Sequence, residues 1–234
     1  MKAFILAAGK GERLGSLTET VPKPMLELAG KPILEYNILM CKKAGVHDIF
    51  INLHYLPNKI SDYFGDGKKF GVNIQYNYEN ELLGTAGGIL FFINNFKEEP
   101  YFVIYGDNYT EFDLLELKTY HESVNSDFTI ALHWVDDISH SGVVQLGVNS
   151  EIVKFIEKPI LDQLEGGWVN SGIYLINPKV IDDLVKQYSD FAKDIIPLAL
   201  NREQKLYGYK IKNDLWAIDT PALFSSTVDK LNIN

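Results

Sequence analysis

Two glycines, a lysine and an arginine fall together in Ala7-Ala8-Gly9-Lys10-Gly11-Glu12-Arg13, the first stretch whose residue types suit chemistry on an anion. Small residues let backbone N–H groups close around a negative group, and Lys10 and Arg13 add positive charge, so the loop suits a polyphosphate. Shortly after it stands Val21-Pro22-Lys23-Pro24-Met25. Prolines on both sides of Lys23 fix the backbone and keep its ammonium from wandering, as a catalytic charge clamp requires. Two other phosphate loops are excluded by the letters themselves. Leu14 stands where a dinucleotide fingerprint needs its third glycine, and no Gly-Lys-Ser or Gly-Lys-Thr occurs.

These groups need elements to hold them. Ala3 to Ala8 is an uncharged apolar run that reads as a buried central strand delivering the loop. Ile33 to Ala44 places Leu34, Ile38 and Cys41 on one helical face, and Gly45 is a natural stop. Strands are expected at Asp48–Leu53, Val72–Tyr76 and Tyr101–Tyr105, and helices at Pro57–Phe64 and at Ala86–Asn95, the latter following the glycine-rich Gly84 to Gly88. Beyond these lie a helix at Leu114–Ser123 and a strand at Phe128–Val135. Strands at Val143–Val148 and Ile152–Ile156 flank a turn at Asn149-Ser150, and another strand covers Trp168–Ile176. Helical patterns follow at Pro178–Tyr188 and Phe191–Leu200, then a strand at Leu206–Ile211 and a helix from Pro221 to Leu231 with proline in its first turn. In open α/β sheets ligands collect beyond the carboxyl ends of strands, which is where the loops after Ala8, Leu53 and Tyr105 fall.

The pair LAAGxGxR and Pro-Lys-Pro resembles the amino-terminal signature of the sugar-1-phosphate nucleotidyltransferases, the nucleotide-sugar pyrophosphorylases. The resemblance runs along nearly the whole chain through Leu83-Gly84-Thr85-Ala86-Gly87-Gly88, Tyr105-Gly106-Asp107, Glu157-Lys158-Pro159, Val169-Asn170-Ser171-Gly172 and Trp216-Ala217-Ile218-Asp219-Thr220-Pro221. Members like mannose-1-phosphate guanylyltransferases and glucose-1-phosphate cytidylyltransferases are the nearest in kind. It implies a three-layer α/β/α sandwich with a mainly parallel mixed sheet, the nucleotide-diphospho-sugar transferase (Rossmann-like) fold. Residues 1–110 would form a nucleotide-binding half and residues 111–234 a sugar-phosphate-binding half of one domain.

The implied reaction joins a nucleoside triphosphate to a sugar-1-phosphate and expels pyrophosphate. Both reactants are anions, so positioning and charge neutralisation carry most of the catalysis and no nucleophilic side chain is needed. The resemblance assigns Arg13 to the leaving pyrophosphate, Lys23 to the α-phosphate, Asp107 to catalysis through magnesium, and Leu6, Ala7, Ala8, Gly9, Gly11, Glu79, Gly84 and Thr85 to the nucleotide. It assigns Gly142, Glu157, Lys158 and Asn170 to the sugar phosphate. Many relatives read Asp-Ile-Gly-Thr-Pro where this chain has Ala217-Ile218-Asp219-Thr220-Pro221. The usual aspartate is thus alanine at 217. A subset including glucose-1-phosphate cytidylyltransferases reads Trp-x-x-(Ile or Met)-Asp-Thr, and resemblance to these implies Asp219 as the second magnesium carboxylate, the alternative being a cap for the helix beginning at Pro221. A carboxylate at Glu79 can accept two donors from guanine and only one from uracil, which tilts the base towards GTP, with UTP and CTP behind. Rival readings are transfer to another phosphorylated alcohol, a non-catalytic nucleotide-binding regulatory subunit, and a glycosyltransferase. The last would carry an Asp-x-Asp motif that the chain lacks.

Composition narrows the field further. The 234 residues, 46% hydrophobic, suffice for a sizeable core, and a net charge of −9 disfavours nucleic acid as a partner. Cys41 is the single cysteine, sits in a helical pattern, and reads as a buried thiol in a reducing cytoplasm. The five histidines show neither metal spacing nor a serine–histidine arrangement. No signal peptide, membrane-spanning run or hexapeptide repeat is recognisable, so a membrane partner is not expected, a single cytoplasmic activity is expected, and a homo-oligomer is compatible with the chain.

Overall fold

A computed structural model describes residues 1–159, 166–181 and 188–232. In chain order the strands and α-helices are β1 (Lys2–Leu6), β2 (Glu27–Leu28), β3 (Lys31–Pro32), α1 (Ile33–Lys43), β4 (Asp48–Leu53), α2 (Pro57–Phe64), β5 (Asn73–Tyr78), α3 (Gly84–Gly87), β6 (Tyr101–Tyr105) and β7 (Asn108–Thr110). They continue with α4 (Leu114–Ser123), β8 (Phe128–Val135), β9 (Gly142–Leu146), β10 (Ile152–Glu157), β11 (Gly167–Ile176), α5 (Ile196–Asn201), β12 (Leu206–Lys210), β13 (Leu215–Ala217) and α6 (Pro221–Asn232). The chain forms two compact units, one from Met1–Leu82, Ile104–Phe112 and Asn213–Asn234, the other from Leu83–Val103 and Asp113–Lys212.

In the first unit β1, β4 and β5 form a parallel ladder, with Phe4 opposite Phe50 and Phe50 opposite Gln75. The run Ala3-Phe4-Ile5 is fully buried, as is most of β4. This is the pattern of strands covered on both faces. The expected strand from Ala3 to Ala8 stops at Leu6, because the Ala7 N–H leaves the ladder and donates to the Asn52 side chain at 3.0 Å. Helix α1 buries Leu34, Ile38 and Cys41 as its pattern predicts, and Gly45 turns the chain at φ 74°. A second core gathers Leu14, Leu26, Leu28, Ile33, Tyr109 and Ile218, with Phe224 and Val228 of α6 packed on it. The short antiparallel ladder of β7 and β13 pairs Tyr109 with Trp216, whose rings stack at 5.3 Å.

The second unit is largely antiparallel. β11 pairs with β8 and β9, β9 pairs with β10, and β12 joins β8 in parallel. The turn between β9 and β10 has Asn149 and Ser150 both at positive φ, 63° and 66°, so the twist of the hairpin is set by two left-handed residues. Phe128, Tyr174 and Phe191 pack their rings together in the core.

Two expected helices differ, and a third lies mostly outside the described residues. The helix read over Ala86–Asn95 is a single α-turn, Gly84–Gly87, followed by 3-10 turns over Gly88–Phe96. Its first amides, Ala86 and Gly87, are captured by the Ser189 carbonyl, and adjacent glycines oppose regular helix. The helix read over Phe191–Leu200 opens with a π-turn, Phe191–Ile195, before α5. Pro197 has no N–H to give, and its ring crowds the carbonyl four residues back, so the preceding turn widens. Of the pattern at Pro178–Tyr188, a 3-10 turn at Pro178–Val180 is seen, and residues 182–187 lie outside the described residues. The architecture is a mixed sheet with flanking helices, parallel through the first unit, as the α/β reading expects.

Candidate active site

The first unit brings four charged residues together. Lys23 sits in a 3-10 turn between Pro22 and Pro24, its side chain only 7% exposed. Its Nζ donates to Asp107 Oδ2 at 2.6 Å and to Asp219 Oδ1 at 2.7 Å. Arg13, 65% exposed, reaches the same Asp219 oxygen at 3.0 Å. Burial works against a charged lysine here, yet the two carboxylates outweigh it and hold the ammonium pKa above its ordinary 10.5. Asp219 is likewise penalised by burial, and Lys23 and Arg13 more than compensate, lowering its pKa from the usual 3.8.

Local structure explains the convergence. Asp107 precedes β7 and Asp219 follows β13 by two residues, so the antiparallel ladder carries both carboxylates to one end. Gly106, directly before Asp107, must be glycine, since a Cβ there would stand 2.9 Å from both Ile5 Cγ2 and the Leu6 carbonyl oxygen. On the loop side, Gly11 takes φ 66°, and a Cβ there would come within 3.0 Å of Lys23 Cβ. Thr18 Oγ1 donates to the Gly11 carbonyl at 3.0 Å, and Leu14 buries itself in the second core. Arg13 is thereby turned outward while its neighbours are anchored.

Not every backbone group of the loop is available to a phosphate. The Leu6 carbonyl accepts from Gly106 N, and Ala7 N is taken by Asn52. Ala8 is buried, and Gly9 and Lys10 are exposed. Asn52 also donates through Nδ2 to Glu79 Oε1 at 2.8 Å, tying the loop to a buried carboxylate just beyond β5. No motif in the sequence marks Asn52. Its signal was a lone amide in the otherwise apolar Ile49-Phe50-Ile51-Asn52-Leu53.

In the second unit Gly142 lies opposite Glu157 across the β9–β10 ladder, and a Cβ on Gly142 would meet Glu157 Oε2 at 3.0 Å. Burial raises the Glu157 pKa above 4.5, the Lys158 charge opposing it. Lys158 adopts φ 47°, a left-handed conformation that non-glycine residues hold only when their surroundings impose it; its N–H donates to the Ser141 carbonyl. Asn170 is separated from Glu157 by β9 rather than lying on a directly paired strand, and its amide bonds Gly172 N and Tyr174 Oη. The Thr85 hydroxyl accepts from Phe191 N at 2.8 Å, and Gly84 at φ 78° lies against Ser189.

A buried lysine held between paired aspartates thus lies against the glycine-rich loop at Gly11. The chain belongs to the nucleotidyl transferase family, which it matches over residues 2–220. Among similar proteins, UTP–glucose-1-phosphate uridylyltransferase of Synechocystis sp. is 35% identical over 222 residues, covering 89% of this chain and 57% of that one. Mannose-1-phosphate guanyltransferase of Saccharomyces cerevisiae is 34% identical over 238 residues, covering 99% and 65%. This chain therefore spans less than two thirds of the length of either relative. The crystal structure of HddC from Yersinia pseudotuberculosis complexed with GMP-PN superposes with a TM-score of 0.81 at 28% identity, covering 98% of each chain. The resemblance read from the motifs is thus to the right family, the sugar-1-phosphate nucleotidyltransferases.

Proposed function

We propose that the chain transfers a nucleotidyl group from a nucleoside triphosphate to a sugar-1-phosphate. A phosphate oxygen of the sugar-1-phosphate forms a bond to the α-phosphorus, and the bond from that phosphorus to the bridging oxygen of pyrophosphate breaks. The observation that carries this reading is the buried Lys23 ammonium held between Asp107 and Asp219 with Arg13 alongside. Lys23 neutralises the α-phosphate and Arg13 the departing pyrophosphate, while the Gly9–Gly11 loop receives the phosphate chain. Lys158 and Glu157, pinned to Ser141 and Gly142, orient the sugar phosphate.

Asp107 and Asp219 bring carboxylate oxygens, the ligand type of a hard divalent cation, to one place, with the Lys23 ammonium between them. Asp107 and Asp219 would hold magnesium, which when bound supplies further charge neutralisation and orientation. Glu79, buried and fixed by Asn52, supports GTP as the base, as do the guanyltransferase relative and the GMP-PN complex of HddC. UTP is the second reading, favoured by the uridylyltransferase relative. Among the described residues no helix is long and apolar enough to cross a membrane. The buried thiol Cys41, its pKa pushed up to about 12 by burial, suits the reducing cytoplasm, where nucleotide sugars for polysaccharide would be made.

The test is a pyrophosphate-release assay with magnesium that crosses GTP, UTP, CTP, dTTP and ATP with a panel of sugar-1-phosphates. GTP with one sugar-1-phosphate should give the highest turnover, and Lys23→Ala should lower it by about 10²–10³, the scale of one preorganised charge-stabilising group. Near-normal turnover in that variant would remove Lys23 from catalysis. Calorimetry showing tight UTP or CTP binding and none of GTP would reverse the base assignment.

A further inference from the structure

The segment Ser189–Lys193 carries no assigned role, yet it touches both substrate-directed parts of the second unit. On one side it is sewn to the glycine-rich segment. Ser189 N donates to the Leu83 carbonyl, Ala86 N and Gly87 N both donate to the Ser189 carbonyl, and Phe191 N donates to Thr85 Oγ1 at 2.8 Å. The fit leaves no slack, for a Cβ on Gly84 would lie 2.3 Å from Ser189 O. On the other side, the π-turn Phe191–Ile195 packs on β10, the strand that ends in Glu157. Asp190 and Lys193 both act electrostatically on the Glu157 carboxylate.

The turn is built to be rigid. Asp190 Oδ1 accepts from Ala192 N and Lys193 N, and Asp190 N donates back to Asp194 Oδ2 at 2.7 Å. This reciprocal arrangement satisfies the amides at the start of the turn from both directions. We propose that Ser189–Lys193 is a positioning element shared by the two substrate segments, latched by Thr85, and that the Thr85 hydroxyl serves this latch rather than the nucleotide. The reasoning is geometric. A hydroxyl lone pair given to Phe191 N fixes the glycine-rich turn, and the same turn fixes the end of β10 from which Glu157 and Lys158 project.

The inference rests on the proposed reaction for its kinetic test and is independent of it for its structural test. Thr85→Val keeps the side-chain shape and removes the acceptor. It should raise the KM for both the triphosphate and the sugar-1-phosphate by about 3- to 10-fold, the scale of one lost hydrogen bond, with kcat within about 2-fold. Thr85→Ser should restore both. A rise in the triphosphate KM alone would make Thr85 an ordinary nucleotide contact, and a fall in kcat with unchanged KM values would mark a loss of folded protein; either overturns the proposal. Independently, amide hydrogen exchange in Asp190→Ala should quicken at Ala86 and Gly87 and also at Lys158, by about 10-fold, with β1 and β4 unchanged. Quickening confined to Ala86 and Gly87 would break the proposed link to β10. Should no substrate pair turn over in the parent protein, the proposed reaction fails and the exchange result still decides the role of the turn.

Discussion

Asp219 is relieved of helix capping by its neighbour. Thr220 Oγ1 accepts from Leu223 N at 3.3 Å at the start of α6, while the Asp219 carboxylate faces Lys23 and Arg13. Asp219→Asn should therefore leave α6 intact and lower turnover by about 10²-fold, with partial recovery at raised magnesium or with manganese. Its stability effect has a definite pH window. A carboxylate whose pKa is lowered on folding stabilises above its unfolded value, near 3.8, and that contribution is lost as pH falls through the folded value. Lys23 works in the other direction, stabilising fully below 10.5 and losing the contribution as pH rises through its raised folded value. The melting temperatures of wild type and Asp219→Asn should thus differ at neutral pH and converge as pH falls below 3.8 and through the lowered folded value. Glu157 has the opposite sign to Asp219. Its pKa is raised by burial, so its charge costs stability above pH 4.5. Glu157→Gln should melt higher than wild type at pH 7, show no such gain near pH 3, and bind the sugar phosphate less well, as thermal scans and KM measurements would report.

At the scale of elements, glycines mark where segments must touch. Gly84 combines φ 78° with the close approach to Ser189 O, so Gly84→Ala forces the α3 turn off its partner. A cost of about 1–3 kcal/mol is expected, or roughly a 3–10 °C fall in melting temperature by calorimetry. Elements with strong local patterns were legible in the sequence: α1 from its apolar stripe, β4 and β6 from their apolar runs, and α2 and α4 to the residue. Pieces governed by distant partners were not. The three-residue strands β7 and β13 are too short to show alternation, yet their pairing is what unites Asp107 with Asp219. The motif letters identified those aspartates and Lys23, and could not show that the lysine lies between them. The only trace of Asn52 is a lone amide in an apolar strand, since its hydrogen bond to Ala7 spans 45 residues and leaves no mark in the spacing of neighbours.

For the molecule as a whole, the first unit takes its residues from three separated stretches, and Ile218 in the last of them is fully buried against Leu14, Leu26, Leu28 and Ile33 from the first. Ile218→Ala should cost about 2–4 kcal/mol through the cavity it leaves, which corresponds to roughly a 5–15 °C lower melting temperature in a chain of this size. A loss of under about 1 kcal/mol in denaturant titration would mean that the contact between the first and last stretches contributes little.

That arrangement also sets a clock. A ribosome adds about 5–20 residues per second, so the stretch ending at Leu82 waits roughly 7–27 s for Ile218 and Asp219 to be made. Throughout that interval the newborn amino-terminal stretch lacks the apolar lid over Leu14 and Leu26, and Lys23 lacks one of its two counter-charges. The nascent chain thus holds its glycine-rich loop early and completes its charge cluster late, once Asp219 has been made.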